Sequence, residues 1–140
     1  MILKKRQSQT LLLDLLDAIL IFHRFHFSSL AHDNEAQTSS VLSIVVPDDV
    51  TSSTTQTPSP ILLDGSQRVA KFNRQIPDDV RILLAVYRFA NKGVDVVLSA
   101  NLPVAKESGG GLGEVEFNLA RDAFMAAARS LKVVDLGLFA

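Results

Sequence analysis

The segment that decides the fold is Ile61–Pro103, with the sequence ILLDGSQRVAKFNRQIPDDVRILLAVYRFANKGVDVVLSANLP. Its runs Arg81–Phe89 and Val94–Ala100 are rich in β-branched and apolar residues, as buried strands are. The sequence Asn-Lys-Gly at 91–93 predicts a turn between them, because glycine tolerates the positive φ that other residues avoid. The short apolar run Ile61–Leu63 predicts another strand. The segment therefore predicts an antiparallel β-sheet, which the rest of the chain covers or extends.

Two shorter features complete this segment. Gly65 and Ser66 predict a turn, and Arg68–Asn73 then alternates polar and apolar residues like a half-exposed strand. From period and apolar size, the predicted sheet core consists of Phe72, Leu83, Val86, Val97 and Leu98, with Phe117 and Phe124 packing on it from the last helix.

Composition limits the classes of partner. A chain of 140 residues with 47% apolar residues is enough for one domain with a real core. The net charge of −1 provides no strong field for nucleic acid or an acidic membrane. There is no Cys or Trp and only one Tyr, which excludes thiolate chemistry and leaves few stacking surfaces for single-stranded nucleic acid. We expect neither nucleic acid nor membrane as a partner.

The first third of the chain predicts a buried helix from about Thr10 to about Arg24. Asp14 and Asp17 are three residues apart, so they share one helix face and can leave the core together. The alternative is a secretory signal over residues 1–31, which would make the mature protein a small secreted α+β domain. The two carboxylates inside the apolar run argue against it, since charged groups are costly in an apolar phase.

The segments between the helices and the main strands are mostly polar, apart from one short apolar run. Residues 28–40 predict a loop or a short irregular helix, and Val41–Val46 predicts a strand that Pro47 ends. Asp48–Pro60 is rich in Ser, Thr and Pro and predicts a surface loop. Lys106–Glu114 is rich in glycine but lacks both phosphate-binding fingerprints, and therefore predicts a linker.

The clearest helix is Glu116–Lys132. Apolar residues recur in it at helical spacing, which predicts a core-facing stripe. That stripe consists of Phe117, Ala120, Phe124, Ala127 or Ala128, and Leu131. After it, Val133–Phe139 is expected to fold back, with Leu138 and Phe139 against the body.

No residue pattern predicts an enzyme. His23 and His26 are one turn apart and could share a metal ion, with His32 and Asp33 completing a site of three nitrogens and a carboxylate. His26 lies among phenylalanines, however, where a packed imidazole is the ordinary case, so we expect no metal. The chain has no Gly-x-Ser-x-Gly elbow and no Cys nucleophile. An unrelated α+β enzyme with its site in the loops stays open as an alternative.

Several runs, in order, resemble the Mog family of Ran guanine-nucleotide-release factors. They are the helix run Leu11–Asp17, Phe-His-Phe at 25–27, GSQRVAKFN at 65–73, RILLAVYRF at 81–89, DVVLSANLP at 95–103, and the end of the chain at 130–139. The resemblance implies one domain over residues 1–140 with a Mog/PsbP-like α/β/α sandwich, an antiparallel sheet with helices on both faces. It also implies a regulatory protein without cofactor that binds the Ran GTPase, promotes nucleotide release in nuclear protein import, and resides in nucleus and cytoplasm.

One departure from the family shapes the expected site. Family members begin with strands that carry an acidic segment central to Ran contact, whereas only ten residues precede the predicted helix here. We therefore expect a domain truncated at its N-terminus, with weakened Ran binding, monomeric but prone to aggregate at an uncovered sheet edge. The matched polar positions Gln67, Lys71 and Asn101 are the candidate partner-binding residues, with solvated positions on strand edges as the alternative for each.

Overall fold

The computed structural model describes residues 2–48, 57–70, 76–104 and 109–139, without the side chains of residues 2–12 and 15. The main elements are α1 (Ile2–Asp33), β1 (Ala36–Val45), β2 (Ile61–Val69), β3 (Asp78–Phe89), β4 (Val94–Pro103) and α2 (Glu114–Ser130), with 3₁₀ turns at Ala90–Lys92 and Leu136–Phe139. The strands form one antiparallel sheet in the order β1-β2-β3-β4, with α1 packed on one face and α2 on the other. The predicted α+β fold, an antiparallel sheet between helices, is confirmed.

The central strand β3 is buried on both faces, which explains its continuous apolar sequence. Alternate side chains point to opposite faces of a strand. Val80, Ile82 and Leu84 therefore pack in the cluster under α1, and Leu83, Ala85, Tyr87 and Phe89 pack in the cluster under α2.

Gly65 does not turn the chain, so the predicted turn at Gly65 and Ser66 is wrong. β2 runs straight through, with Gly65 opposite Val41 on one side and Ile82 on the other. A Cβ at residue 65 would meet the Phe27 ring at 2.4 Å. The glycine is thus required by close packing of α1 on the sheet and not by a backbone bend.

Helix α1 is longer than predicted at both ends. The loop or short irregular helix predicted for residues 28–40 is wrong, because residues 28–33 continue α1 and residues 36–40 begin β1. The helix continues to Asp33 because Phe27 and Leu30 pack on the sheet and hold the polar residues between them in helical form. Glu35, with φ of 51°, reverses the chain into β1. The Ser- and Thr-rich start of β1 suits an exposed edge strand. Asp14 and Asp17 are solvent-exposed, as predicted.

The β3–β4 hairpin confirms the prediction for this part of the sheet, including left-handed Gly93 with φ of 62°.

The predicted core is only partly right. Leu83 and Val86 are buried, but Val97 is 39% exposed, because β4 is an edge strand and α1 does not extend over it. The predicted core residue Phe72 lies outside the described residues.

Helix α2 begins and ends within two residues of its predicted bounds. Phe124 and Ala128 are its buried residues, so the predicted stripe includes Ala128 and not the exposed Ala127. The buried Tyr87 hydroxyl donates a hydrogen bond to the carbonyl of Ala128 and ties the helix to β3.

The chain end after α2 is only partly packed. The ring centroid of Phe139 lies 5.5 Å from that of Phe89, as expected for a segment that folds back on the body. Leu138 is 77% exposed, so its predicted packing is wrong.

The two helices are offset across the sheet. α1 lies mainly over β1 and β2, whereas α2 lies over β3 and β4. The α1-side face of β4 is therefore left open, with Val97, Ser99 and Asn101 exposed, and so is the α2-side face of β1, with Ser40, Ser43 and Val45 exposed. In the described part of the chain, no helix is both long and apolar enough to cross a membrane.

Candidate partner-binding surface

The open corner between α1 and β4 carries a set of side chains that we call the α1/β4 surface. It consists of Phe22, Phe25 and His26 on α1, Arg88 on β3, and Asp95, Val97 and Asn101 on β4. The strand residues are placed by antiparallel register, since Arg88 and Asp95 lie directly opposite each other in the β3–β4 ladder. The helix residues are brought to them by the packing of α1 on the sheet.

Asp95 is the centre of the polar contacts. His26 Nε2 lies 3.1 Å from Asp95 Oδ2, and Arg88 Nη1 lies 3.6 Å from Asp95 Oδ1. The carboxylate is largely buried, and two basic groups face it from different elements. Asp95 therefore links α1 to the β3–β4 hairpin and leaves the outer side of Arg88 available to a partner.

Aromatic rings surround these polar contacts. The guanidinium of Arg88 lies over the Phe22 ring at 3.9 Å from its centroid, a cation–π contact. Phe25 meets the His26 ring edge-on, with centroids 5.7 Å apart, and remains 64% exposed. Exposed aromatic and arginine side chains beside a small apolar area are the composition of a protein interface more than of an ordinary surface.

His23 lies beneath this surface and is buried. Its Nδ1–H donates to the Ile19 carbonyl at 2.6 Å, whereas Nε2 has no partner within the described residues. Burial lowers the pKa of His23, and the nearby His26 and Arg88 act in the same direction. His23 is therefore a neutral core histidine.

The two histidines do not converge. His23 bonds to its own helix and His26 faces Asp95, so the pair considered for a metal ion is not assembled. Across the described ranges, no group of three His, Asp or Glu side chains is arranged to hold a metal ion.

The candidate partner-binding residues occupy different environments. Gln67 is 0% exposed, and its Oε1 accepts a hydrogen bond from Asn34 Nδ2 at 3.0 Å. Asn101 is exposed on the open face of β4. Lys71 lies outside the described residues. Asn101 is therefore exposed on the open face of β4, whereas Gln67 is buried.

Sequence reasoning missed Phe22, Phe25, Arg88 and Asp95 as surface residues. The pairing of Arg88 with Asp95 follows from the predicted hairpin, because both lie at equivalent positions about the turn. The contact of His26 with Asp95 has no local signal, since it depends on where α1 crosses the sheet.

Comparison with known proteins identifies the family of the chain. A family model described as Ran-interacting Mog1 protein matches residues 3–103, which include all four strands and α1 from its second residue onward. The Ran guanine nucleotide release factor of Danio rerio is 26% identical over 124 residues, covering 83% of this chain and 67% of that relative. No solved structure matches the chain. The family match extends over well more than half of the chain and includes every element of the α1/β4 surface, and the chain belongs to the Mog1 family.

Proposed function

We propose that this protein binds the Ran GTPase through its α1/β4 surface and promotes release of the bound guanine nucleotide. The family description and the name of the Danio rerio relative support the partner and the activity. The observation that carries the choice of surface is the solvent-exposed cluster of Phe22, Phe25 and Arg88, all within the matched residues. An anchor of two aromatic rings and one arginine can supply most of the affinity of an interface.

Release of nucleotide follows from differential affinity. A partner that binds nucleotide-free Ran more tightly than nucleotide-bound Ran shifts the population toward release, and a hundredfold preference corresponds to about 2.7 kcal/mol. The protein needs no nucleophile, metal or cofactor for this, so we propose a regulatory binding protein and not an enzyme. The corresponding cellular role is in nuclear protein import, with the protein in nucleus and cytoplasm.

Within this proposal the polar candidates have different roles. Asn101 contacts Ran directly, because its side chain is exposed on the same open face of β4 as Val97. Gln67 has no exposed surface, and it supports the fold by bonding to Asn34 at the end of α1. Lys71 stays a predicted contact, and the predicted shortening of the N-terminus stays a prediction as well.

The packing of α1 favours this proposal over a secreted domain. Removal of residues 1–31 as a signal would take away Ile19, His23 and Phe27, which are all buried, and Phe27 packs in the cluster with β2 and β3. Such a loss would open the apolar cluster under α1, and large-to-small changes at single core positions already cost about 2–5 kcal/mol.

The test is release of a fluorescent guanine nucleotide from Ran, together with the affinity for nucleotide-free Ran. The variants are Phe25→Ala and Asn101→Ala, both at exposed positions. We expect Phe25→Ala to weaken binding by about tenfold or more, as loss of an anchor side chain does. The matched control is Leu119→Ala, because Leu119 is 66% exposed on α2, on the opposite face.

Two results would contradict the proposal. Absence of accelerated release with the unaltered chain would exclude the activity. Equal affinities of Phe25→Ala, Asn101→Ala and Leu119→Ala would exclude the α1/β4 surface as the contact even if the chain accelerated release.

A further inference from the structure

The opposite open corner, between α2 and β1, forms a cleft of about 790 Å³, within the usual size range of ligand sites. We call it the α2/β1 cleft. Its walls are mainly apolar and come from the end of β1, the start of β2 and the chain after α2. The apolar wall residues are Val45, Pro47, Pro58, Pro60, Leu62, Leu131, Val133 and Val134.

Two cationic side chains lie on the rim of this cleft. Arg129 lies in the last turn of α2 and Lys132 follows the end of the helix, and both are exposed and line the cleft. Within the described part of the chain, neither has an ion-pair or hydrogen-bond partner, and no acidic side chain lines the cleft. The rim is therefore positively charged above an apolar wall.

The cleft is fixed by internal hydrogen bonds. The backbone N–H of Val133 donates to Thr57 Oγ1 at 2.9 Å, which ties the segment before β2 to the segment after α2. Tyr87 lines the cleft, and its hydroxyl already donates a hydrogen bond to the carbonyl of Ala128. A ligand would thus meet a largely preformed apolar surface and the two rim cations.

The position of the cleft favours an extended peptide as its occupant. β1 is an edge strand, so its outer side has no neighbouring strand in the described sheet. Val45, at the end of β1, forms part of the wall. A peptide can pair with a free strand edge through its backbone while alternate side chains enter an adjacent pocket.

We propose that the α2/β1 cleft binds an extended peptide segment in which acidic residues flank apolar ones. The apolar side chains occupy the wall between Leu62 and Val134, and the carboxylates pair with Arg129 and Lys132 on the rim. Arg129 and Lys132 lie outside the family match, which ends at residue 103. This site is on the other face of the sheet from the α1/β4 surface and is independent of the function proposed above.

The experiment measures fluorescence anisotropy of a labelled hexapeptide with two central leucines and four flanking glutamates, titrated with the unaltered chain. Arg129→Glu combined with Lys132→Glu should weaken binding by at least tenfold, because attraction becomes repulsion. Val134→Asp should weaken it as well, because Val134 is 90% exposed and can change without loss of core packing. The matched control is Lys92→Glu, an exposed cation on the turn between β3 and β4, which should bind as the unaltered chain does.

Peptide controls separate the two parts of the proposal. A hexapeptide with lysines in place of glutamates and one with serines in place of leucines should both bind at least tenfold more weakly. No saturable binding of the glutamate–leucine peptide, or equal binding by the double variant and Lys92→Glu, would overturn the proposal. Equal binding of the serine peptide would overturn it too, since general charge attraction would then suffice. Ran binding should be unchanged in the double variant, so failure here and failure of the Ran proposal are distinguishable.

Discussion

The ring of Phe27 lies directly against the backbone of Gly65, with its Cε2 and Cζ atoms 2.4 and 2.6 Å from where a Cβ at that residue would stand. This contact lets α1 approach the sheet closely enough for Phe27 to join Leu63, Ile82 and Leu84 in one cluster. The spacing between helix and sheet is therefore set by the absence of one side chain. The same spacing brings His26, the next residue before Phe27, to Asp95.

Gly65→Ala should destabilise the protein by about 1–3 kcal/mol, the usual range for an added group in a tightly packed core. The measurement is urea unfolding at neutral pH. Ser66→Ala is the control, since Ser66 is the next residue and faces away from Phe27. A free energy of unfolding for Gly65→Ala within about 0.5 kcal/mol of that for Ser66→Ala would show that Phe27 moves aside freely.

Phe124→Ala should lower the free energy of unfolding by about 3–5 kcal/mol, because Phe124 is buried between α2 and the sheet and its loss leaves a cavity. Leu119→Ala, at an exposed position of the same helix, should change it by less than about 0.5 kcal/mol. Urea unfolding of both variants provides the comparison. A change below about 0.5 kcal/mol for Phe124→Ala would mean that α2 is not held on the sheet through this ring.

The elements that could be predicted from sequence are those with a local signal. β3 and β4 are apolar runs on either side of a turn with glycine, and α2 has an apolar stripe at helical spacing. Gly65 shows the limit of prediction from sequence, because the sequence does not distinguish a glycine in a turn from a glycine packed under an aromatic ring. Its partner Phe27 is remote in sequence, so only the packed structure distinguishes the two cases.

The candidate site was predictable to a smaller extent. Asn101 could be selected because it lies on a predicted strand at a polar position, and it is exposed in the structure. Gln67 is also a polar residue on a predicted strand, but it is buried, since α1 covers β2 and leaves β4 open. Helix placement across the sheet decides between these two polar residues, and it is a property of tertiary packing.

Stability should fall as pH is lowered from about 7.5 to 5.5, because burial lowers the pKa of His23 below its ordinary value of 6.5. In this range the unfolded chain binds more protons at residue 23 than the folded chain, so the free energy of unfolding rises with pH. Burial is the largest cause of this lowered pKa, and the nearby His26 and Arg88 act in the same direction. The hydrogen bond to the Ile19 carbonyl and the Asp95 carboxylate both act to raise the pKa.

His23→Gln should flatten this pH dependence, whatever its effect on stability at pH 7.5. The measurement is urea unfolding at several pH values between 5.5 and 7.5. His32→Gln is the matched control, because His32 is exposed at the end of α1, and it should keep the slope. An equal slope in His23→Gln and the unaltered chain would assign the pH dependence to other groups.

Asp95 should act on Ran binding through Arg88, because the carboxylate is largely buried and the guanidinium is the group that a partner can reach. Asp95→Asn removes the charge that holds Arg88 over Phe22. We expect about a threefold to tenfold loss of affinity for nucleotide-free Ran, since the remaining amide still offers Arg88 a neutral acceptor and such a loss equals about 0.7–1.4 kcal/mol. Arg88→Ala should lower the affinity by at least as much.

If Asp95 acts only by positioning Arg88, then Asp95→Asn added to Arg88→Ala should have no further effect, since coupled residues are not additive in a double-mutant cycle. Urea unfolding of each variant controls for loss of fold, which would lower affinity in all backgrounds alike. Additive losses in the double variant would show instead that Asp95 contacts Ran itself or acts through His26.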